Sequence, residues 1–220
     1  MDLCTYHSHC NFCDGKAPAE DFVRAAIEAG FHSYGISSHS PLPFETRWSL
    51  SKGNVEAYLM ELKRLQEKYA GQIELYVGME IDYLNDDWGP AVEYFQRMPL
   101  DYRIGSVHLV TEEQTGEIMD MDGKFEDFRE NLRLIFHDDL KYLVEAYFKA
   151  SSRMVELGGF DFVAHLDKIS MNGSLMDSTL TEQEWYNRLL WDYMSLIAKK
   201  GVMVEVNTKA YTKKGMMFPN

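Results

Sequence analysis

The chain has neither a long apolar run nor an excess of basic residues. No stretch of its 220 residues approaches the ~20 consecutive apolar residues that a membrane-spanning helix needs. The net charge of −13 disfavours DNA or RNA as a main partner, because phosphate backbones bind surfaces rich in lysine and arginine. The start, MDLCTYHSH, lacks a basic segment followed by an apolar one, so we predict no signal peptide and a cytoplasmic location.

Cysteine is scarce: the three residues are Cys4, Cys10 and Cys13, all near the N-terminus. An odd number of cysteines in a chain without a signal peptide predicts free thiols. Cys10 and Cys13 form a C-x-x-C pair, but a structural zinc site would require a second such pair, which the sequence lacks. We therefore interpret the thiols as incidental neighbours of the site predicted below.

The motifs of several common enzyme classes are also missing. The sequence contains no G-x-S-x-G nucleophile elbow, no phosphate-binding P-loop and no glycine motif for dinucleotides. It has no internal repeat, linker or low-complexity segment. With 45% apolar residues, the 220 residues are enough for one hydrophobic core, so we expect a single domain over residues 1–220.

Predicted strands and helices alternate along the chain, which favours a parallel sheet with right-handed crossovers. Strands are predicted at residues 4–9, 33–38, 74–83, 102–110, 160–166 and 202–207. Helices are predicted at residues 18–29, 54–69 and 90–97, at about 125–157 with a break near 137–139, and from a capping box of Thr181 and Glu184 to Lys200. Residues 111–124 are polar and rich in turn residues, and are predicted to form a long loop.

Five of the seven histidines, together with Glu80, stand where predicted strands end. The histidines are His7, His9, His39, His108 and His165. Side chains at i and i+2 of a strand share a face, so His7 and His9 should point the same way. The carboxyl ends of parallel strands form the mouth of a barrel, where barrel enzymes hold their active sites. The pattern therefore predicts a metal centre at this mouth.

Imidazole and carboxylate ligands together suit zinc, manganese or iron. Glu80 can bridge two cations, and Asp14, five residues after His9, is a further oxygen ligand. Clustered cations activate bound water as hydroxide and offset the charge of a phosphate ester, so the predicted reaction is hydrolysis. The predicted catalytic residues are Glu80, His39 and Asp14. Residues that either orient the ligand histidines or cap strand ends are Asp82, Asp167, Glu205 and Asn207.

Six segments, in chain order, resemble successive motifs of the polymerase-and-histidinol-phosphatase (PHP) family. They are YHSHCNFCDG, SSHSPLP, VGMEIDY, DYRIGSVH, FDFVAHLDK and VEVNTKA. The H-S-P-L-P, G-x-E-x-D-Y and I-G-S-V-H segments resemble the histidinol-phosphate phosphatase branch more than the polymerase-associated one. The resemblance implies a distorted (β/α)7 TIM-like barrel, a metal cluster, and hydrolysis of L-histidinol phosphate in histidine biosynthesis.

The resemblance also implies which residues bind which metal. His7, His9 and Glu80 resemble the ligands of one metal, Glu80, His108 and His165 those of a second, and Asp14 and His39 part of a third. We expect two or three divalent ions, zinc, manganese or iron. The candidates for binding the substrate phosphate, from charge and location, are Arg47, Arg153 and Lys168.

One family motif is not found. The family closes with an Asp-x-His at the end of its last strand, and none follows Asn207. The 220 residues are also fewer than the ~250 typical of a closed barrel. We therefore expect a C-terminally truncated chain that lacks the last strand and unit, with a shorter open barrel as the alternative.

The expected partner is a small-molecule phosphate ester, with no nucleic acid and no membrane, and the sequence does not indicate an oligomeric state. Two other functions stay open. One is a PHP-type phosphodiesterase or nuclease acting on another phosphate ester, which the acidic composition disfavours. The other is a non-catalytic metal-binding fragment.

Overall fold

Two units can be distinguished in the chain, each with its own strands and helices. The computed structural model describes residues 3–209, 211 and 217–219. The first unit comprises Met1–Asp82 and Glu93–Ile104, and the second comprises Tyr83–Val92 and Gly105–Asn220. Among the described residues, no helix combines the length and the apolar character needed to cross a membrane.

The first unit is built from parallel strands and the helices that connect them. Its elements are β1 (Leu3–Thr5), α1 (Ala19–Glu28), β2 (Phe31–Ile36), α2 (Val55–Lys68), β3 (Glu74–Asp82), α3 (Glu93–Gln96) and β4 (Tyr102–Ser106), whose last two residues belong to the second unit. Strand β2 pairs in parallel with β1 and with β3, and β4 follows β3 in the strand order. Helix α1 begins directly after Pro18 and ends before Gly30, whose φ of 77° favours glycine.

Two tyrosines connect the elements of the first unit. Tyr58, on α2, is fully buried; its hydroxyl donates to the carbonyl oxygen of Gly78 at 2.7 Å and accepts from the backbone N–H of Ser38 at 3.1 Å. The hydroxyl of Tyr102, on β4, donates to the carbonyl oxygen of Tyr6 at 2.5 Å. A Cβ atom on Gly78 would lie 2.1 Å from Cζ of Tyr102, so only glycine fits beneath this ring.

The second unit contains a hairpin, a further parallel strand pair and four helices among its described residues. Its elements are β5 (Leu109–Thr111), β6 (Ile118–Asp120), α4 (Phe125–Ile135), α5 (Leu140–Leu157), β7 (Phe162–Val163), α6 (Ser170–Met176), α7 (Glu184–Lys200) and β8 (Met203–Val204). Strands β5 and β6 are antiparallel, whereas β7 runs parallel to β8 and follows β4 in the strand order. The predicted break is confirmed, since His137 and Asp138 have positive φ values of 55° and 63° between α4 and α5.

All six predicted strands are present, but several of their predicted bounds are wrong. Strand β1 ends at Thr5, so His7 and His9 lie after it. Strand β7 has only two residues, because the backbone N–H of His165 bonds to a side chain rather than to a neighbouring strand. The predicted loop over residues 111–124 contains β6, which pairs with β5, so that residues 109–120 form a hairpin.

Two helix predictions are corrected as well. Thr181 forms no capping box, because it lies in a short 3-10 turn, and Gln183 directly precedes α7 without a side-chain cap. Helix α6 is not predicted from the sequence, since Asn172 and Gly173 are poor helix formers. Its formation depends on tertiary contacts: the Asn172 side chain donates to the carbonyl oxygen of Met121 at 3.1 Å.

Candidate metal centre

A buried carboxylate, Glu80, lies within a histidine cluster in the first unit. Its side chain is fully buried, and three imidazole nitrogens surround its oxygen Oε2. The distances from Oε2 are 3.2 Å to His7 Nε2, 3.2 Å to His9 Nε2 and 3.0 Å to His39 Nδ1. The structure thus brings together four of the predicted metal ligands.

Backbone pairing sets His39 opposite Glu80. The N–H of Glu80 donates to the carbonyl oxygen of Ser38 at 3.1 Å, and the N–H of Ser40 donates to the carbonyl oxygen of Glu80 at 2.7 Å. These two bonds form a parallel bridge between His39 and Glu80 beyond the end of β2. The two side chains meet because the chain segments stay paired after the regular strand has ended.

The alternation of side chains along extended backbone places His7 and His9 together. Between them, Ser8 turns the other way, and its Oγ donates to the carbonyl oxygen of Gly35 at 2.8 Å. The rings of His7 and His9 are stacked, with centroids 5.2 Å apart. The prediction from their i, i+2 spacing that they point the same way agrees with this stacking.

The second nitrogen of His9 faces the first loop. Nδ1 lies 2.8 Å from Asp14 Oδ1 and 3.7 Å from Cys13 Sγ. Burial lowers the pKa of His9, but the hydrogen bonds with Asp14, Cys13 and Glu80 outweigh this effect and raise the pKa to about 12. The surroundings of this ring therefore attract positive charge strongly.

The donor set fits a divalent cation. A carboxylate oxygen offers two lone pairs, so it cannot accept well-formed hydrogen bonds from three N–H groups at once. A cation would instead be bound by the lone pairs of the nitrogens and of the carboxylate, which are ligands that zinc, manganese and iron accept. The donor atoms of His9, His39 and Glu80 all lie within 4.8 Å of one another.

Two further side chains lie close to His39. The buried Asp82 has its Oδ2 atom 3.9 Å from His39 Nδ1. The ring of Trp48 meets the imidazole edge-on, with centroids 4.8 Å apart. Asp82 was expected from its strand-end position, whereas Trp48 lies outside any motif or periodic segment and had no signal in the sequence.

The other two predicted ligands, His108 and His165, meet in the second unit. Both are buried, and their ring centroids are 4.9 Å apart. His165 has a φ of 22°, which is uncommon for a residue other than glycine. Its backbone N–H donates to Glu205 Oε1 at 2.8 Å, and Asn207 Nδ2 donates to the same oxygen at 2.9 Å. Glu205 and Asn207 thus hold the backbone of His165 in place.

Asp122 belongs to the same neighbourhood, although the sequence pattern does not single it out. Burial raises its pKa, but the charges of Lys168, His108 and His165 outweigh this effect, so that the pKa lies below its ordinary value. Lys168 Nζ lies 3.2 Å from Asp122 Oδ1 and 5.3 Å from the centre of the Phe218 ring. The only signal in the sequence is an Asp-Gly turn, which does not reveal that this turn reaches Lys168.

The three predicted phosphate-binding residues differ in their surroundings. Arg47 is exposed, and so is Arg153, which pairs with Asp86 at 2.6 Å and with Glu156 at 3.1 Å. The side chain of Lys168 is only 12% exposed. Contact of any of them with substrate stays a prediction, and so does the convergence of all seven predicted ligands in one cup.

Comparison with known proteins identifies similar sequences. Residues 5–209 match the family model described as PHP domain. A protein of Deinococcus radiodurans named probable histidinol-phosphatase is 23% identical over 219 residues, covering 96% of this chain and 75% of that protein. The histidinol-phosphatase of Bacillus subtilis is 23% identical over 230 residues, covering 94% of this chain and 81% of that enzyme.

Two crystal structures are similar in fold. That of a protein proposed to be a histidinol phosphatase, from Listeria monocytogenes, has a TM-score of 0.81 and 21% identity, covering 99% of this chain and 87% of that one. That of the histidinol phosphate phosphatase of Lactococcus lactis, in complex with zinc, L-histidinol and phosphate, has a TM-score of 0.71 and 21% identity, covering 96% of this chain and 74% of that one. The predicted α/β fold of the TIM-like type is confirmed by these matches.

Proposed function

Because the chain belongs to the PHP-domain family, we propose that it is a metal-dependent phosphomonoesterase that converts L-histidinol phosphate into L-histidinol and phosphate. The observation that carries the proposal is the oxygen Oε2 of Glu80, which has three imidazole nitrogens at 3.0 to 3.2 Å. The substrate is suggested by the names of the similar proteins and by the ligands of the Lactococcus enzyme.

The proposed centre holds two or three divalent cations. Their assignment rests on the family resemblance: His7, His9 and Glu80 for one cation, Glu80, His108 and His165 for a second, and Asp14 and His39 as part of a third. Zinc, manganese and iron all suit imidazole and carboxylate ligands. Zinc is favoured because the similar Lactococcus structure contains it.

The chain's own residues prepare this chemistry. Bound cations would lower the pKa of a water molecule and offset the charge of the phosphate ester. Asp14 accepts a hydrogen bond from the Nδ1–H group of His9, so in the neutral, metal-binding ring the lone pair would be on Nε2, the nitrogen that faces the oxygen of Glu80. Glu80 is fully buried, so its two oxygens are held in position as ligands and as the proposed bridge between two cations.

We expect the protein to hydrolyse L-histidinol phosphate and to lose this activity when a chelator removes its metals. A nucleotide diester should be a poorer substrate by roughly 10–100-fold in kcat/KM, because it carries one charge fewer and loses one charge-assisted contact. Both esters are assayed side by side with zinc, manganese and iron, and bound metal is measured. Preference for the diester would indicate a phosphodiesterase, and bound metal without turnover of either ester would indicate a metal-binding module.

Lys168 is the proposed phosphate-binding residue with the strongest support. Its ammonium group has three N–H donors, so it can bind Asp122 and a phosphate oxygen together. Lys168→Gln should raise KM for L-histidinol phosphate roughly 10-fold or more and change kcat less, since a charge-assisted hydrogen bond contributes about 1.5–3 kcal/mol. Lys149→Gln, at an exposed lysine of α5, is the matched control. An unchanged KM in Lys168→Gln would exclude the contact, and Arg47→Gln and Arg153→Gln would then test the other two candidates.

A further inference from the structure

A thiol lies beside the predicted ligands of the first loop, and the proposed function assigns it no role. Cys13 Sγ is 3.5 Å from Asp14 Oδ1 and 3.7 Å from His9 Nδ1. These contacts are on the Nδ1 side of the His9 ring, whereas the Glu80 carboxylate is on the Nε2 side. The sulfur of Cys13 and the carboxylate of Asp14 thus meet at a second position next to the same ring.

The loop holds the thiol of Cys13 at this position. The backbone N–H groups of Cys13 and Gly15 both donate to the carbonyl oxygen of Cys10, at 3.0 and 3.1 Å. A Cβ atom on Gly15 would lie 2.5 Å from backbone atoms of His9 and Cys10, so this close approach requires glycine. The turn therefore fixes the backbone of Cys13 beside His9 and Asp14.

The distances agree with a shared cation. Tetrahedral zinc, with bonds of about 2.0–2.3 Å, places its ligand atoms roughly 3.3–3.8 Å apart. The distance of 3.5 Å between Cys13 Sγ and Asp14 Oδ1 lies in that range. His39 Nε2 lies 4.0 Å from the same Asp14 oxygen and can contribute a further nitrogen. The 2.8 Å between Asp14 and His9 is a hydrogen-bond distance, so the Nδ1–H group of His9 donates to Asp14 and holds its carboxylate beside the thiol.

We propose that Cys13 supplies a thiolate ligand to the divalent cation bound at Asp14 and makes this position selective for thiophilic cations such as zinc and cadmium over manganese. The proposal rests on the proposed function only in requiring a cation at Asp14. On binding, the Sγ–H bond breaks, the proton passes to solvent, and a sulfur–metal bond forms. Thiolates select zinc and similar soft cations, whereas carboxylates alone also accept manganese.

Cobalt(II) is the probe for the test, because a cobalt–thiolate bond produces a charge-transfer absorption in the near ultraviolet. Titration of the metal-free full chain with cobalt(II) should produce this band. The control variant Cys4→Ser, which lacks the exposed thiol of β1, should produce it as well. Cys13→Ser should lose the band and should lower the ratio of zinc to manganese affinity about 10-fold or more. Circular dichroism checks that the variant is folded.

A band that persists in Cys13→Ser, or that never develops in the unaltered chain, would overturn the proposal. The thiol would then be a structural group whose hydrogen is donated to the carbonyl oxygen of Cys10 at 3.6 Å. The spectrum needs no phosphate ester, so the outcome is separate from that of the activity assay. If the band appeared without phosphatase activity, the thiolate ligand would be supported and the proposed function rejected. If phosphatase activity appeared without the band, the proposed function would be supported and the thiolate ligand rejected.

Discussion

Glu80→Gln is expected to lower kcat/KM for L-histidinol phosphate at least ~100-fold, because loss of an outer partner of a metal ligand alone commonly costs 10–100-fold. Glutamine has nearly the same shape but carries no charge, and its amide nitrogen is not a ligand. The oxygen that three imidazole nitrogens surround at 3.0 to 3.2 Å would therefore lose most of its affinity for a cation. Bound metal per chain, measured by elemental analysis, should fall together with the activity.

The control for this variant is Glu74→Gln on the same strand. Glu74 begins β3, and its side chain is 58% exposed, so its neutralisation should leave metal content and turnover within about twofold of the unaltered chain. Circular dichroism compares the folding of both variants. If Glu80→Gln retained its full metal content and near-normal turnover, Glu80 would not be the bridging ligand, and the proposed centre would have to be rejected.

Gly78→Ala is expected to destabilise the protein by about 2 kcal/mol or more, since adding a methyl group to a well-packed core typically costs about 1–3 kcal/mol. The new Cβ would lie 2.1 Å from Cζ of Tyr102 and less than 3 Å from two other carbons of that ring. The ring has little freedom to move, because its hydroxyl bonds to the carbonyl oxygen of Tyr6 at 2.5 Å. Thermal and urea unfolding followed by circular dichroism measure the change.

Gly53→Ala provides the matched control, because a Cβ there would meet no atom within 4 Å and the residue does not have a positive φ. Its stability should change by less than about 1 kcal/mol. If Gly78→Ala were as stable as Gly53→Ala, the result would contradict the close packing of the Tyr102 ring against Gly78 of β3.

A double-mutant cycle at Gly35 tests which atom of Tyr102 is responsible. A Cβ on Gly35 would lie 2.3 Å from the Tyr102 hydroxyl oxygen, an atom that Tyr102→Phe removes. Tyr102→Phe should therefore restore more of the stability lost in Gly35→Ala than of that lost in Gly78→Ala, where the ring carbons that meet the new Cβ remain. The same cycle is measured with Gly78→Ala. If Tyr102→Phe restored the same free energy of unfolding in both glycine variants, this arrangement would be contradicted.

Much of the arrangement within each unit could be predicted from strand ends and side-chain alternation. The spacing of His7 and His9 predicts their shared face, and the stacked rings have that arrangement. The approach of His39 to Glu80 follows from two neighbouring parallel strands that end at the same edge. These features are local, because they depend on the two-residue period of extended chain and on the order of the strands.

Other features could not be predicted, because they depend on loops that close over long separations in sequence. Asp122 reaches Lys168 across two helices, α4 and α5, and the short strand β7, which carry no common period. Helix α6 has weak intrinsic propensity and forms where Asn172 binds the carbonyl groups of the 121–122 turn. The short strand β7 ends where Glu205, 40 residues further along the chain, binds the backbone of His165.

The sequence by itself determined the residue types of the candidate centre and their positions at strand ends. It also determined the family to which the chain belongs, because all three properties depend on local motifs. The tertiary structure decided which atoms meet. His7 and His9 turn Nε2 toward Glu80, whereas His39 turns Nδ1 toward it, and the thiol of Cys13 lies beside Asp14. Ring orientation and loop closure are set by packing and by hydrogen bonds between residues far apart in the chain, and no local pattern encodes them.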